Sequence, residues 1–220
     1  MIAWATVDPA SGGVEHEHGE TVFAAASTIK LFIYSAFRRS DLSGDEVVPA
    51  GPTGGSGVSE YLQTALPLAD HAFLMLAVSD NASTNILLER LGFDPVAAEA
   101  ERLGLRQTRV RRPMMAAGPE NETTPLDLAH GLARLLDEPF REELLQALRI
   151  AAMAESLVPF FLPDVTVASK YGDITGQVRH EVAYLAHGDR ALVTAVCSSP
   201  PARPDEVAAA AAARWDATAS

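Results

Sequence analysis

The sequence has one cysteine in 220 residues, Cys197, inside the apolar run ALVTAVC. No disulfide framework is possible within the chain, and a thiol in such a run reads as a buried structural group. No apolar stretch approaches the roughly 20 residues that span a bilayer. Basic charge is scarce: 17 Lys and Arg stand against 29 Asp and Glu, for a formal net charge of -12. Nucleic acid and anionic membrane both need basic surface, so neither is an expected partner. The opening MIAWATVDPASGG lacks a basic segment followed by an apolar one. As it stands the chain is expected to be cytoplasmic. A trimmed mature form would be expected in the periplasm or outside the cell.

Lysine is the scarcest charge. Only Lys30 and Lys170 are lysines, and every other basic residue is arginine. Arginine stays charged, whereas a buried lysine can lose its proton. Lys30 lies inside FAAASTIKLFIYSAF, three residues after Ser27. On a helix that spacing puts both side chains on one face. Desolvation among Phe23, Ile29, Leu31, Phe32 and Ile33 lowers a lysine pKa. A serine hydroxyl needs a base to become a nucleophile. The pair is therefore a candidate for nucleophilic catalysis, although S-x-x-K is short and also occurs where the lysine merely reaches solvent.

The rest of the chain reads as strands at both ends and helices between. IAWATVD and VEHEHGE are strands joined by PASGG. Helices are expected at 27–40, 58–66, 67–79, 82–91 and 94–103, then over PLDLAHGLARLLDE and FREELLQALRIAAMAESL. DVTVASKYG, RHEVAYLAHG and RALVTAVCSS are β-rich, and DEVAAAAAARW closes as a helix. The expected architecture is α/β (α+β): one antiparallel sheet built from both termini and flanked by helices, with a mostly helical lobe inserted. Residues 1–24 and 160–220 would form the α/β lobe and 25–159 the helical lobe, in one compact unit.

Two further patterns matter. SDN, Ser79 to Asn81, opens a helix; alone it is an Asx-rich helix start. KYG, Lys170 to Gly172, ends a β-run; alone it is a strand end with a glycine turn. S-x-x-K, SDN and KYG occur in this order and use both lysines. Together they resemble the S-x-x-K, S-D-N and K-T-G set of class A β-lactamases and penicillin-binding proteins. AASTIKL, GGSGV, LMLAVSDNASTNILLERLG, TTPLDLAHGLARLL and VASKYGDITGQVRHEVAYL extend that resemblance over nearly the whole chain. It implies the β-lactamase/transpeptidase-like fold, with the site between the lobes, and a set of roles. Ser27 would be acylated and Lys30 would take its proton. Ser79 would relay a proton to the leaving group. Asn81 would hold Lys30 and the substrate amide. Lys170 would supply positive potential and orient Ser79. Gly172 would let substrate lie along the strand edge, and the backbone N–H groups of Ser27 and Asp173 would form the oxyanion hole.

Two departures from the family stand out. The family's Glu-x-x-x-Asn loop, whose glutamate activates the deacylating water, is not evident: four residues before Asn121 stands Ala117. Glu120 and Glu122 are expected to cap the next helix. The acyl-enzyme of a β-lactam is then expected to persist. The second departure is Tyr171, where the family has threonine or serine. A phenol there shifts the expected substrate toward an ester or small amide.

No cofactor is expected. His16 and His18 alternate in EHEHGE without an evident third ligand, so no metal is expected either. His180 is expected to be structural, Arg179 to pair with a carboxylate or meet substrate, and Arg109 to Arg112 to form a solvated edge. The expectation is a serine hydrolase acting on a small molecule, a β-lactam, ester or amide. The alternative is a ligand-binding protein of the same fold with little turnover. The sequence leaves the oligomeric state open.

Overall fold

The computed structural model describes residues 1–218. Strand β1 (Ile2–Val7) pairs with β2 (Val14–Glu17), and the chain then makes the two-residue strand β3 (Phe23–Ala24). A 3-10 turn over Ala26–Ile29 leads into α1 (Lys30–Arg39). The short strands β4 (Val47–Val48) and β5 (Leu66–Pro67) pair before α2 (Leu68–Ala77), α3 (Asn81–Leu91) and α4 (Phe93–Arg102). Strand β6 (Glu122–Thr123) precedes α5 (Pro125–Leu135), α6 (Arg141–Glu155) and the single turn α7 (Val158–Phe161). Strands β7 (Thr166–Ile174), β8 (Val178–His187) and β9 (Arg190–Ser198) and helix α8 (Pro204–Ala217) complete it.

The main sheet has the order β2-β1-β9-β8-β7, antiparallel at every pairing. The first and last strands of the chain thus meet at its centre, and β7 is left as an edge. Trp215, Val207 and Ala211 of α8 bury against Leu185, Leu192 and Val196 on one face. On the other, α5 packs on β1 and β9, and the 3-10 turn packs on β7. One buried cluster runs from Ala3 and Ala5 in β1 through Phe32 in α1 to Leu148 in α6. Helix α1 is buried from Lys30 to Phe37, as expected of a helix apolar on all sides. Arg38 and Arg39 in its last turn suit the dipole.

Local chemistry corrects several sequence expectations. The helix expected at 58–66 is a 3-10 turn, Ser59–Tyr61, followed by β5. The Asp80 carboxylate takes the N–H groups of Val58 and Ser59, and Pro67 disfavours helix at Leu66. Glu120 and Glu122 do not cap α5: Thr124 Oγ1 accepts from Asp127 N at 3.0 Å, with Pro125 in the first turn. The two glutamates pair instead with Arg112 and Arg111 at 2.6 and 2.8 Å. Arg109 and Arg111 are exposed, as expected of a solvated edge, while Arg112 is half-buried. His18 lies beyond β2 with φ of 54°, so it does not alternate with His16 on a strand face. Among the described residues no helix is long and apolar enough to cross a membrane.

Candidate active site

Ser27 sits in the 3-10 turn that starts α1, following Ala26, whose φ of 49° is unusual for a residue with a side chain. Gly172 of β7 explains how the strand comes so near. A Cβ there would lie 3.2 Å from Ser27 N and 3.0 Å from Thr28 Cγ2, tight contacts that glycine avoids where β7 runs against this turn. The side chain it lacks would face the Ser27 turn.

Lys30 is fully buried. Its Nζ donates to Ser79 O at 2.6 Å and Asn81 Oδ1 at 2.8 Å, and lies 3.1 Å from Ser27 Oγ and 3.2 Å from Ser79 Oγ. Burial drives its pKa well below the usual lysine range, and the nearby Lys170 charge pushes the same way. A neutral Lys30 has two hydrogens and one lone pair. Ser79 O and Asn81 Oδ1 take the hydrogens, so the lone pair is left for a serine hydroxyl. The geometry fits a base waiting for the Ser27 proton.

The second wall is the Ser79–Asn81 turn. Ser79 has φ of 56°, a strained conformation held from both sides. Asp80 caps α3 through Ser83 N at 2.8 Å and also accepts from Val58 N, Ser59 N and Ser59 Oγ. Burial raises the Asp80 pKa, but these hydrogen bonds outweigh it and hold the carboxyl below its ordinary value. Asn81 N donates to Ser56 O at 2.9 Å and its Nδ2 to Gly54 O at 3.1 Å. The GGSG loop thereby clamps the turn. Gly57, at φ of 120°, leaves no room for a Cβ beside Asp80.

Lys170 is also fully buried. Its Nζ donates to Glu155 Oε2 at 2.9 Å and Tyr171 O at 3.1 Å; the contact to Ser79 Oγ comes from Lys30 instead. Burial lowers its pKa, opposed by Glu155 and Glu181. Glu155 has no counterpart in the sequence expectations. One signal was available: a glutamate ending a helix opposes the macrodipole, and so implies a partner elsewhere.

Asp173 receives Arg179 Nε and Nη2 at 3.0 and 2.9 Å, while Arg179 Nη1 donates to Ala202 O at 2.7 Å. Tyr171 lines the cleft beside them. Burial and Asp173 raise its phenol pKa against the pull of Arg179. His180 is buried with Nε2 2.8 Å from Ala24 O and its ring edge-on to Phe23, a structural setting.

These groups line a cleft of about 910 Å³. Ser27, Ser79 and Asn81 stand on one side, Tyr171 and Asp173 on another, and Arg112, Met114 and Glu120 on a third. The third wall is the segment before Asn121, in which the sequence shows no deacylating glutamate at the family's spacing. Met114 N donates to Asn85 Oδ1 at 2.7 Å and Met114 O accepts from Asn85 Nδ2 at 3.1 Å, so a thioether is held there. Asn121 pins the same loop by accepting from Arg111 N and Arg112 N. Among the described residues no group of three His, Cys, Asp or Glu is placed to hold a metal.

A family model described as the beta-lactamase enzyme family matches residues 2–215. No curated protein matches the chain. Solved structures do. The beta-lactamase from Sphaerobacter thermophilus DSM 20745 is 27% identical, with 91% of this chain and 83% of that one covered and a TM-score of 0.82. PBP-A is 25% identical over 99% of this chain and 89% of its own, with a TM-score of 0.88. A mutant of PBP-A, solved as an acyl-enzyme complex with penicillin G, is 24% identical over 99% and 90%, with a TM-score of 0.85.

Proposed function

The chain belongs to the beta-lactamase enzyme family, and from that premise we propose that it is a serine hydrolase acylated at Ser27 by a β-lactam, ester or amide. The observation that carries the proposal is the buried Lys30 amine 3.1 Å from Ser27 Oγ, with its hydrogens directed elsewhere.

The reaction follows from that arrangement. Lys30 takes the Ser27 proton as Oγ attacks the carbonyl carbon. The developing oxyanion is received by the backbone N–H groups of Ser27 and Asp173. The carbonyl C–N or C–O bond then breaks, and Ser79 passes a proton from Lys30 to the departing atom. The products are acyl-Ser27 and an amine or alcohol. Clearing the ester needs a base for water. Each carboxylate lining the cleft is engaged: Glu120 with Arg112, Glu155 with Lys170 and Asp173 with Arg179. That engagement supports a slow second step, so the acyl-enzyme accumulates. It also supports a second reading, a binding protein of the same fold with little turnover.

Intact-protein mass spectrometry after mixing with penicillin G or p-nitrophenyl acetate tests both steps. A mass increase absent from Ser27→Ala is expected, persisting with penicillin. Lys30→Ala should slow its appearance about 10²- to 10⁴-fold. Rapid steady-state penicillin hydrolysis would overturn slow deacylation. No adduct with either reagent would favour the binding protein.

A further inference from the structure

Helix α2 carries a fully buried imidazole that the acylation chemistry does not use. His71 shares that helix with the buried Leu68, Ala72 and Met75, and an apolar side chain at its position would bury without a polar cost. Its hydrogen bonds are therefore what it contributes. Nε2 lies 2.9 Å from Val48 O of β4, a carbonyl that only accepts, so Nε2 donates. Nδ1 lies 2.9 Å from Ser83 Oγ of α3. Ser83 Oγ lies 3.2 Å from Ser59 Oγ, and Ser59 Oγ donates to Asp80 Oδ1 at 2.6 Å. Ser83, Ser59 and Asp80 are buried like the ring. An unbroken run of polar contacts thus leads from β4 through α2 and α3 to the carboxylate between Ser79 and Asn81.

Asp80 is the joint of the catalytic turn. Its Oδ2 accepts from Val58 N and Ser59 N, and its Oδ1 also accepts from Ser83 N. On either side of it, Ser79 O and Asn81 Oδ1 take the hydrogens of Lys30. If Asp80 shifts, these two acceptors shift with it, and the Lys30 lone pair no longer points at Ser27. In a buried polar network each member is held by the next, so a loss at one end is felt at the other.

We propose that His71 is a positioning residue for acylation: through Ser83 and Ser59 it fixes Asp80, and so the turn that aims Lys30 at Ser27. This rests on Ser27 being the acylated residue. The link that matters is the one from Nδ1 to Ser83. The link from Nε2 to Val48 O ties α2 to β4 and leads away from the site.

The two links can be restored separately. An asparagine amide reaches the position of Nδ1 and can donate or accept there, whereas a glutamine amide reaches that of Nε2. The acylation rate at saturating p-nitrophenyl acetate is read from the burst. His71→Asn is expected to stay within a few-fold of the native chain, and His71→Gln to be about tenfold or more slower. Ser83→Ala should lose a similar factor without touching the ring, which keeps the test informative if His71→Gln fails to fold. The double variant His71→Gln/Ser83→Ala should be no slower than either single one, because both break the same run. Native rates in His71→Gln or Ser83→Ala would overturn the proposal, as would additive losses or a loss that His71→Asn shares in full. If the native chain itself is not acylated at Ser27, the hydrolase reading fails. Hydrogen exchange of the Val58 and Ser59 N–H groups then decides the positioning alone: faster exchange in His71→Gln than in His71→Asn sustains it, and equal exchange overturns it.

Discussion

Lys30 is where the residue scale is most exacting. An ammonium there would face Lys170 in a fully desolvated site, so burial and repulsion together favour the amine. The proposed attack by Ser27 requires that amine. Acylation of Ser27 should therefore stay fast at neutral pH, where an ordinary lysine is charged, and fall as acidification protonates Lys30. Burst rates with p-nitrophenyl acetate across the pH range check this. A rate that rises only toward the ordinary lysine pKa of about 10.4 would contradict it. Gly172 acts at the same scale by absence: a methyl there would crowd the Ser27 turn at 3.0 to 3.2 Å.

At the scale of elements, the cleft is an edge strand, a helix start and a pinned loop. Helix α1 supplies rigidity because it is buried along most of its length. The 108–121 loop supplies a wall whose backbone is fixed by Asn85 and Asn121 but whose Met114 carries no base. Fixed backbone with an inert side chain makes a specific expectation. Met114→Glu should place a carboxylate in the cleft without moving the loop, and shorten the lifetime of the penicillin adduct by about 10²-fold or more, the contribution of a general base. Time-resolved mass spectrometry reads that lifetime directly. An unchanged lifetime would mean that the loop does not face the ester.

For the whole molecule, the cost of assembling the site shows in the groups buried beneath it. Glu181 of β8 pairs with Tyr171 across the sheet and is almost fully buried. Burial raises its pKa to about 7, although Ser169, Ser156 and Lys170 favour the charged form. The folded chain therefore holds this proton more tightly than the unfolded chain, whose glutamate titrates near 4.5. The resulting stabilisation is complete below pH 4.5 and is lost as pH rises to 7. Glu181→Gln should remove that loss, making the variant more stable than the native chain at pH 8 by on the order of 3 kcal/mol, with the difference closing toward pH 5. Urea unfolding at the two pH values measures it. Equal differences at both would show that the group does not titrate in this window.

The sequence by itself determined the five strands of the main sheet, most of the helices and the Ser27–Lys30 pair. These depend on local periodicity, on a three-residue spacing and on a lysine in an apolar run. It also marked Ser79, Asn81, Lys170 and Gly172, because short motifs keep their order along the chain. Only the tertiary structure decided which charges meet. Glu155 and Lys170 are 15 residues apart in the chain, and the helix ending at Glu155 must return to β7 before they touch. Glu120 and Glu122, read locally as caps, pair with arginines across the loop. The expected helix at 58–66 yields to Asp80, which lies more than twenty residues away. Local pattern sets which backbone forms. Ion pairing and desolvation depend on distances that no local pattern contains, and here they set the charge of the cleft.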